Sequence, residues 1–123
     1  MKAAQVQGLT VDQLVEKYRE LSARHGRAIE AGNHKAANRD FGVIVAINKE
    51  LRSRGIEAHR ELFKLLNDPE PGTRCWAATD VLEFAPREGE QVLAELAKVP
   101  RSLVGLTAEM TLRQWKAGEY KPG

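Results

Sequence analysis

Apolar residues recur at intervals of three and four along most of the chain, which is the spacing of one face of an α-helix. The first series consists of Val11, Leu14, Val15, Tyr18 and Leu21. Thr10 precedes it as an N-cap, and Gln13 completes a capping box with that threonine. The pattern predicts a first helix from about residue 10, with Gly26 ending or bending it and residues 27–31 adding a further turn.

A second long helix is predicted from about residue 34 to residue 54, after the cap Asn33 and before the stop Gly55. Its apolar face is broad and contains Ala37, Phe41, Ile44, Val45, Asn48 and Leu51. A wide apolar arc is typical of a helix that packs between neighbours on two sides. We therefore expect this helix near the middle of the fold.

Four shorter helices complete the predicted fold, over residues 56–67, 72–85, 87–98 and 101–117. The corners between them are Asp68-Pro69-Glu70-Pro71-Gly72, Pro86 and Val99-Pro100, because proline cannot continue the ladder of the preceding helix. The expected anchors of the last helix are Leu103, Leu106, Ala108, Leu112 and Trp115. Runs of alternating β-branched residues, which would indicate strands, are absent from the sequence. The predicted fold class is all-α.

A weak internal repeat relates the later helices at an offset of 31 residues. This offset pairs Ala77 with Ala108, Val81 with Leu112 and Phe84 with Trp115. We interpret the chain as three stacked helical hairpins, over residues 10–54, 56–85 and 87–117. They form a single domain over residues 10–118, with residues 1–9 and 119–123 as flexible tails.

The stretch from residue 62 to 85 resembles a HEAT repeat, with a leucine-rich first helix, Asp68-Pro69 at the turn, and Thr73-Arg74 and Ala77-Ala78 in the second helix. Over residues 10–118 the chain also looks like a family of small bacterial HEAT-like domains of unknown function. The resemblance implies an α-α superhelix and supplies no catalytic residue. It further implies that Asp68 and Arg74 tie adjacent repeats together. Some small bacterial helical-repeat proteins are immunity proteins that block a toxin.

Composition narrows the range of functions. No apolar run reaches the roughly 20 residues that span a bilayer, and the N-terminus lacks the apolar stretch of a signal peptide, so we expect a cytoplasmic protein. Cys75 is the only cysteine, and the three histidines lack metal-ligand spacing. We therefore expect no cofactor and no metal.

The net charge of +2 is unevenly divided between the two halves of the chain. Residues 1–66 carry twelve Lys and Arg against eight Asp and Glu, a balance of +4, and residues 67–123 carry seven against nine, a balance of −2. Acids and bases alternate along each helix, as on a solvated surface. The more basic N-terminal half leaves nucleic-acid binding as the alternative function.

Two polar residues lie on predicted apolar faces, Asn48 in the second helix and His59 in the third. A buried amide without a partner costs about 1–3 kcal/mol, so we expect Asn48 to form a hydrogen bond. His59 is one candidate partner, and such a bond would fix how the first two hairpins dock. The other interpretation of Asn48 is a polar contact at the floor of a small-molecule pocket.

Trp76 shares a helical face with Thr79, Asp80 and Glu83, away from the alanine face of its helix. Aromatic residues concentrate at binding hot spots, so these four residues are the candidate partner surface. Covering the junction with a neighbouring hairpin is the alternative role of Trp76. If the side chain is exposed, it marks the partner surface. Trp76→Ala should weaken partner capture and barely change thermal stability.

These observations favour a non-catalytic protein-binding module that uses the surface of its second helices, over residues 33–54, 72–85 and 101–117. An enzyme ranks last because the sequence shows no nucleophile–base pair, metal spacing or phosphate loop.

Overall fold

The computed structural model describes residues 1–121, and over this range the chain forms helices and no strand. The all-α prediction is therefore confirmed. The α-helices are α1 (Val11–Glu30), α2 (His34–Ser53), α3 (Ile56–His59), α4 (Pro71–Val81), α5 (Pro86–Ala97) and α6 (Leu103–Lys116). Two 3-10 segments accompany them, Ala3–Gly8 before α1 and Arg60–Asn67 directly after α3.

Local sequence accounts for most helix ends. The Thr10–Gln13 capping box begins α1, and the side chains of Asn33 and Ser102 cap α2 and α6. The predicted end of the fourth helix was wrong. Helix α4 stops at Val81, and Pro86 begins α5, where the missing N–H of proline costs nothing.

The centre of the fold is formed by α1 and α4. Helix α1 packs against α2, α4 and α6, and α4 packs against α1, α5, α6 and the 3-10 segment Arg60–Asn67. The expectation that the second long helix lies in the middle was wrong. The main neighbours of α2 are α1, α3 and Ala3–Gly8. Part of its broad buried face is polar, because Asp40 and Asn48 are buried there.

Gly26 does not end or bend the first helix, because α1 continues unbroken to Glu30. It is instead the closest contact between α1 and α4. A Cβ atom on Gly26 would lie 2.7 Å from Cα of Gly72, and a Cβ atom on Gly72 would lie 2.6 Å from the carbonyl oxygen of Ser22. One turn away, the buried hydroxyls of Ser22 and Thr73 are 2.9 Å apart. The two backbones therefore touch, which requires glycine at both positions.

Buried polar contacts join the first elements. Arg24 of α1 donates two hydrogen bonds of 2.7 Å to the buried carboxylate of Asp40 in α2, and holds the pKa of Asp40 below its usual range. Asn48 Oδ1 lies 2.7 Å from His59 Nε2, so the expected hydrogen bond between these two residues is present. It joins α2 to α3, which connects the first two hairpins.

The corner after residue 67 is held mainly by its own atoms. Arg74 donates to the carbonyl oxygens of Asp68 and Pro69, at 2.7 and 3.1 Å, and the Asp68 carboxylate accepts from the N–H of Glu70. The inter-repeat role implied for Arg74 is therefore not what its contacts show. Asp68 does reach the first hairpin, with Oδ1 3.9 Å from Arg19 Nη1.

Both predicted tails make contacts over their described residues. Ala3–Gly8 is a 3-10 segment whose Val6 is buried, and Arg54 donates to the carbonyl oxygen of Gln7. At the other end, Tyr120 is half-buried against Trp115. Residues 122–123 of the predicted tail lie outside the described residues.

Three of the five predicted anchors of α6 pack on the core, namely Ala108, Leu112 and Trp115. The other two, Leu103 and Leu106, are exposed, and Val104 is buried instead. The apolar residues of this helix form two adjacent stripes along its surface. Their spacing predicts a helix but does not show which stripe faces the core.

Candidate functional site

A groove of about 300 Å³ lies between α1, α2, α4 and α6. Helices α1 and α2 contribute His25, Gly26, Ile29, Phe41, Val45 and Asn48 to its lining. Helices α4 and α6 contribute Gly72, Cys75, Trp76, Thr79, Asp80, Val104, Thr107 and Thr111, and Tyr120 completes the lining after α6. Three of the four predicted partner-surface residues, Trp76, Thr79 and Asp80, therefore line one concave site.

The groove follows from the packing order of the helices. Both α2 and α4 pack against α1. Side-chain contacts also link the two sides, through the ring contact between Phe41 and Trp76 and the ion pair between Arg52 of α2 and Glu83, which follows α4. The α1 residues His25, Gly26 and Ile29 form part of the resulting floor.

An aromatic cluster forms one wall of the groove. The Trp76 indole N–H donates a 3.1 Å hydrogen bond to His25 Nδ1, and the two rings meet edge to face with centroids 5.3 Å apart. Phe41, whose exposed fraction is 52%, contacts Trp76 with centroids 5.4 Å apart. Because Nδ1 accepts a hydrogen bond, the His25 imidazole is neutral, and burial lowers its pKa.

Trp76 was interpreted from the sequence either as a partner-surface residue or as the cover of a helix junction, and each interpretation applies in part. The side chain is half-buried and packs against the core, so it covers the junction of α1, α2 and α4, and it also lines the groove. These contacts contradict the expectation that Trp76→Ala would leave stability almost unchanged, because the substitution removes a hydrogen bond and two ring contacts.

Asp80 supplies a carboxylate to the groove. The fully buried Tyr18 of α1 donates a 2.7 Å hydrogen bond to Asp80 Oδ2. Burial raises the pKa of Asp80 to about 7, against the opposing influence of the Tyr18 hydrogen bond and of Arg52. Burial and the nearby Asp80 raise the pKa of Tyr18 well above its usual range, so this hydroxyl stays protonated and remains a donor.

Glu83, the fourth predicted partner-surface residue, lies outside the groove lining. Its Oε1 accepts from Arg52 at 2.6 Å and lies 3.9 Å from the Nε2 atom of His59. Burial lowers the pKa of His59, so the histidine is held neutral in its hydrogen bond with Asn48. Glu83, in the turn after α4, therefore links that turn to α2 as an ion-pair partner.

Asn48 has both of the roles considered from the sequence. It is bonded to His59 at the junction between α2 and α3, and it also lines the groove. The docking contact and the pocket contact are thus made by the same buried amide.

Equivalent positions of the later hairpins face the groove. At the 31-residue offset, Trp76 of α4 corresponds to Thr107 of α6, and Asp80 corresponds to Thr111; all four line the groove. The same offset backwards relates Trp76 to Val45 and Thr79 to Asn48, which are lining residues of α2. The groove therefore lies on the second-helix surface that the sequence indicated.

Several groove residues were not identified from the sequence, namely His25, Phe41, Thr107, Thr111 and Tyr120, nor was Tyr18, the buried partner of Asp80. Tyr18 and Phe41 were assigned to apolar stripes, and Tyr120 to a tail. The threonines had one available signal, since the internal repeat places them at the positions of Trp76 and Asp80. Tyr18 and Asp80 are 62 residues apart, a separation that no local pattern connects.

Two chemical features of the described residues complete the site. Burial raises the pKa of the Cys75 thiol to about 12, so this cysteine is held protonated. Within residues 1–121, no group of three His, Cys, Asp or Glu side chains is placed to hold a metal ion. No helix in the same range combines the length and the apolar character needed to cross a membrane.

The fold matches that of a solved bacterial protein. The crystal structure of the protein RPA1889 from Rhodopseudomonas palustris CGA009 aligns with a TM-score of 0.84 and 24% sequence identity, over 97% of this chain and 98% of that one. No curated protein matches this chain. The family model described as a domain of unknown function (DUF2019) matches residues 12–117, and the chain therefore belongs to this family.

Proposed function

We propose that this chain is a non-catalytic binding module that holds another protein at its second-helix surface, with the groove as the central contact. The supporting observation is the concave site itself, to which all three second helices contribute and which has Trp76 and Phe41 on one wall. Half-buried aromatic side chains beside a cavity are typical of binding hot spots.

The proposal includes a HEAT-like origin for the three helix pairs. The Asp68-Pro69 corner and the 31-residue offset support it, whereas the packing of α2 on α1 is a departure from regular stacking. Within this class, an immunity-type inhibitor of a toxin is one specific form that the resemblance allows. Such an inhibitor would use the same groove.

Asp80 is the one feature that favours a catalytic alternative, because a carboxyl with a pKa of about 7 suits acid–base chemistry. The neighbouring side chains do not complete such a site. The hydroxyls of Thr79 and Thr107 donate to backbone carbonyl oxygens one turn back, and the Cys75 thiol is held protonated. None of these three lining side chains is an activated nucleophile, which supports binding over catalysis.

The nucleic-acid alternative has less support, because arginines of the basic half are engaged in ion pairs. Arg24 pairs with Asp40, Arg27 with Glu70, Arg52 with Glu83 and Arg54 with Glu50. A salt titration of DNA binding tests this alternative, since phosphate contacts give a steep salt dependence.

The experiment that tests the proposed function fills the groove. Thr107 is exposed and lines the groove, so Thr107→Trp should occupy part of the cavity without disturbing the core. Proteins captured from the source cells by the wild-type chain and by this variant are then compared by quantitative mass spectrometry. We expect the variant to lose the specifically captured partner.

Gln91→Trp is the matched control, because Gln91 is exposed on α5 and does not line the groove. This variant should capture the partner as the wild type does. Equal capture by both tryptophan variants and the wild type would contradict the proposal.

A further inference from the structure

The groove combines apolar walls with a single acidic side chain. Asp80 is the one carboxylate in its lining, and no lysine or arginine of residues 1–121 lines it. Tyr18 holds one carboxylate oxygen, and no other residue in the described part of the chain donates a hydrogen bond to Asp80. The second oxygen is therefore available to a donor that enters the groove.

Ionised Asp80 makes the groove negative. Arg52 of α2 is the cation that acts on it: Arg52 lowers the pKa of Asp80 but forms its ion pair with Glu83. His25, in the floor of the groove, is neutral because Nδ1 accepts the Trp76 N–H. Asp80 is therefore the one side chain of the lining within residues 1–121 that carries a charge, and a cation would complement it.

The size and the walls of the groove restrict what that cation can be. About 300 Å³ is at the low end of ligand pockets, which is room for a single large side chain. The rings of Trp76 and Phe41 offer faces and edges on which an aliphatic stem can lie, and aromatic faces attract cations. A long side chain with a cationic head matches both features.

We propose that the groove takes one arginine or lysine side chain of the partner protein, with its aliphatic stem against Trp76 and Phe41 and its cationic head on the Asp80 carboxylate. The inference rests on the proposed function and specifies the partner's anchoring residue. The occupant is a protruding basic side chain of a folded or extended protein segment.

Proton release accompanies this binding. A cation favours ionised Asp80, whose pKa of about 7 means that part of the population must lose a proton at neutral pH. The other groups facing Asp80 are Tyr18, Arg52, Cys75, Glu83 and Tyr120. Burial raises the pKa of Tyr18, Cys75 and Tyr120 far above neutrality, so these three hold their protons throughout.

The test uses the full chain and capped pentapeptides, acetyl-Gly-Gly-X-Gly-Gly-amide, with X as arginine, lysine, citrulline or norleucine. Citrulline keeps the shape of arginine without its charge, and norleucine keeps the stem of lysine. Binding is followed by NMR at the indole N–H of Trp76, which is hydrogen-bonded to His25 at the groove wall. We expect the arginine and lysine peptides to shift this signal and to bind at least about tenfold more tightly than the neutral pair, the size of one charge-assisted hydrogen bond.

Asp80→Asn should reduce the affinity for the arginine and lysine peptides by about tenfold or more and abolish proton release in calorimetry. Asparagine can still accept the Tyr18 hydrogen bond, so this variant remains folded. The charge-matched control is Glu109→Gln, which removes an acid from a surface ion pair with Arg113 on α6. It should bind like the wild type.

Equal binding of the citrulline and arginine peptides would overturn the inference, as would an unchanged affinity in Asp80→Asn. Equally tight binding of free ethylguanidinium or butylamine would also overturn it, because the site would then serve small amines. The proposed function has its own test, because it is contradicted if Thr107→Trp still captures the partner. If that variant loses the captured partner while Asp80→Asn retains it, the binding module stands and the basic anchor is wrong.

Discussion

The two sides of α4 differ in how they meet their neighbours. On the side of α1 the backbones touch at Gly26 and Gly72, and buried hydroxyls of Ser22 and Thr73 bond across the contact. On the side of α2 the links include the ring contact between Phe41 and Trp76, and the groove lies between the helices. The backbone contact with α1 fixes the position of α4. The side of α4 that faces α2 is therefore not needed for close packing and can form a binding site.

The largest loss of stability is expected from a change at the contact between α1 and α4. Gly26→Ala places a Cβ atom 2.7 Å from the backbone of Gly72, so α1 and α4 must separate. We expect a loss of about 2–3 kcal/mol in the free energy of unfolding, as for an overpacked core, measured by urea denaturation.

The matched control is Gly42→Ala on α2, where an added Cβ atom meets nothing within 4 Å. Alanine is the better helix former by about 0.8–1 kcal/mol, so this variant should be slightly more stable than the wild type. Equal stabilities for the two alanine variants would show that α1 and α4 do not touch at this point.

Trp76→Ala should produce the next largest effect, because it opens the wall of the groove. The half-buried side chain loses its hydrogen bond to His25 and its contacts with two rings. We expect a loss of about 1–2 kcal/mol, less than for a fully buried tryptophan, together with weaker partner capture.

Trp76→Phe separates the two contributions to stability, since it keeps a ring against Phe41 and removes the N–H donor. It should recover about half of the stability lost in the alanine variant. Thermal denaturation gives both values, and an unperturbed Trp76→Ala variant would show that the side chain is not part of the packed junction.

Asp80→Asn should alter how stability depends on pH. Because the pKa of Asp80 is about 7 in the folded chain and about 4 in the unfolded chain, the folded state keeps a proton that the unfolded state has released between these values. Rising pH across this window therefore destabilises the wild type. Relative to the wild type, Asp80→Asn should therefore become progressively more stable from about pH 4 to about pH 7, with little further change above about pH 8.

Urea denaturation of both chains at several pH values measures this difference. Asp80→Asn isolates one group, because His25 and His59 titrate alike in both chains. A stability difference that stays constant with pH would mean that Asp80 is not desolvated beside Tyr18.

Thr107→Trp should have the smallest effect on stability. The residue is exposed and its substitution adds atoms to an open groove, so the free energy of unfolding should change by less than about 0.5 kcal/mol. Urea denaturation checks this expectation. A large loss would show that the groove closes around position 107 in solution.

The difference between the α1-facing and α2-facing sides of α4 also explains which features could be predicted from the sequence. Helix existence, caps and the pair formed by Asn48 and His59 follow from local periodicity and from the need to satisfy a buried amide. Gly26 was interpreted as a helix end because its local signal is the same whether a glycine stops a helix or admits a neighbouring backbone.

The groove could be predicted only in part. The face of α4 that carries Trp76, Thr79 and Asp80 was visible from helical spacing, and the repeat offset pointed to α6. The position of α1 between α2 and α4 depends on the close contact of two glycines 46 positions apart, Gly26 and Gly72, and no periodic pattern encodes it. Without that contact, Tyr18 and His25 could not be assigned to the same site as Asp80.

Photo-crosslinking in cells shows whether the groove itself contacts the partner protein. The photoreactive amino acid p-benzoylphenylalanine replaces Phe41, an exposed residue of the groove wall whose phenyl ring it keeps, or Gln91 on α5, and the source cells that express either variant are irradiated. We expect a covalent adduct with one protein from position 41 and none with that protein from position 91. Adducts with the same protein from position 91, or only there, would contradict this expectation.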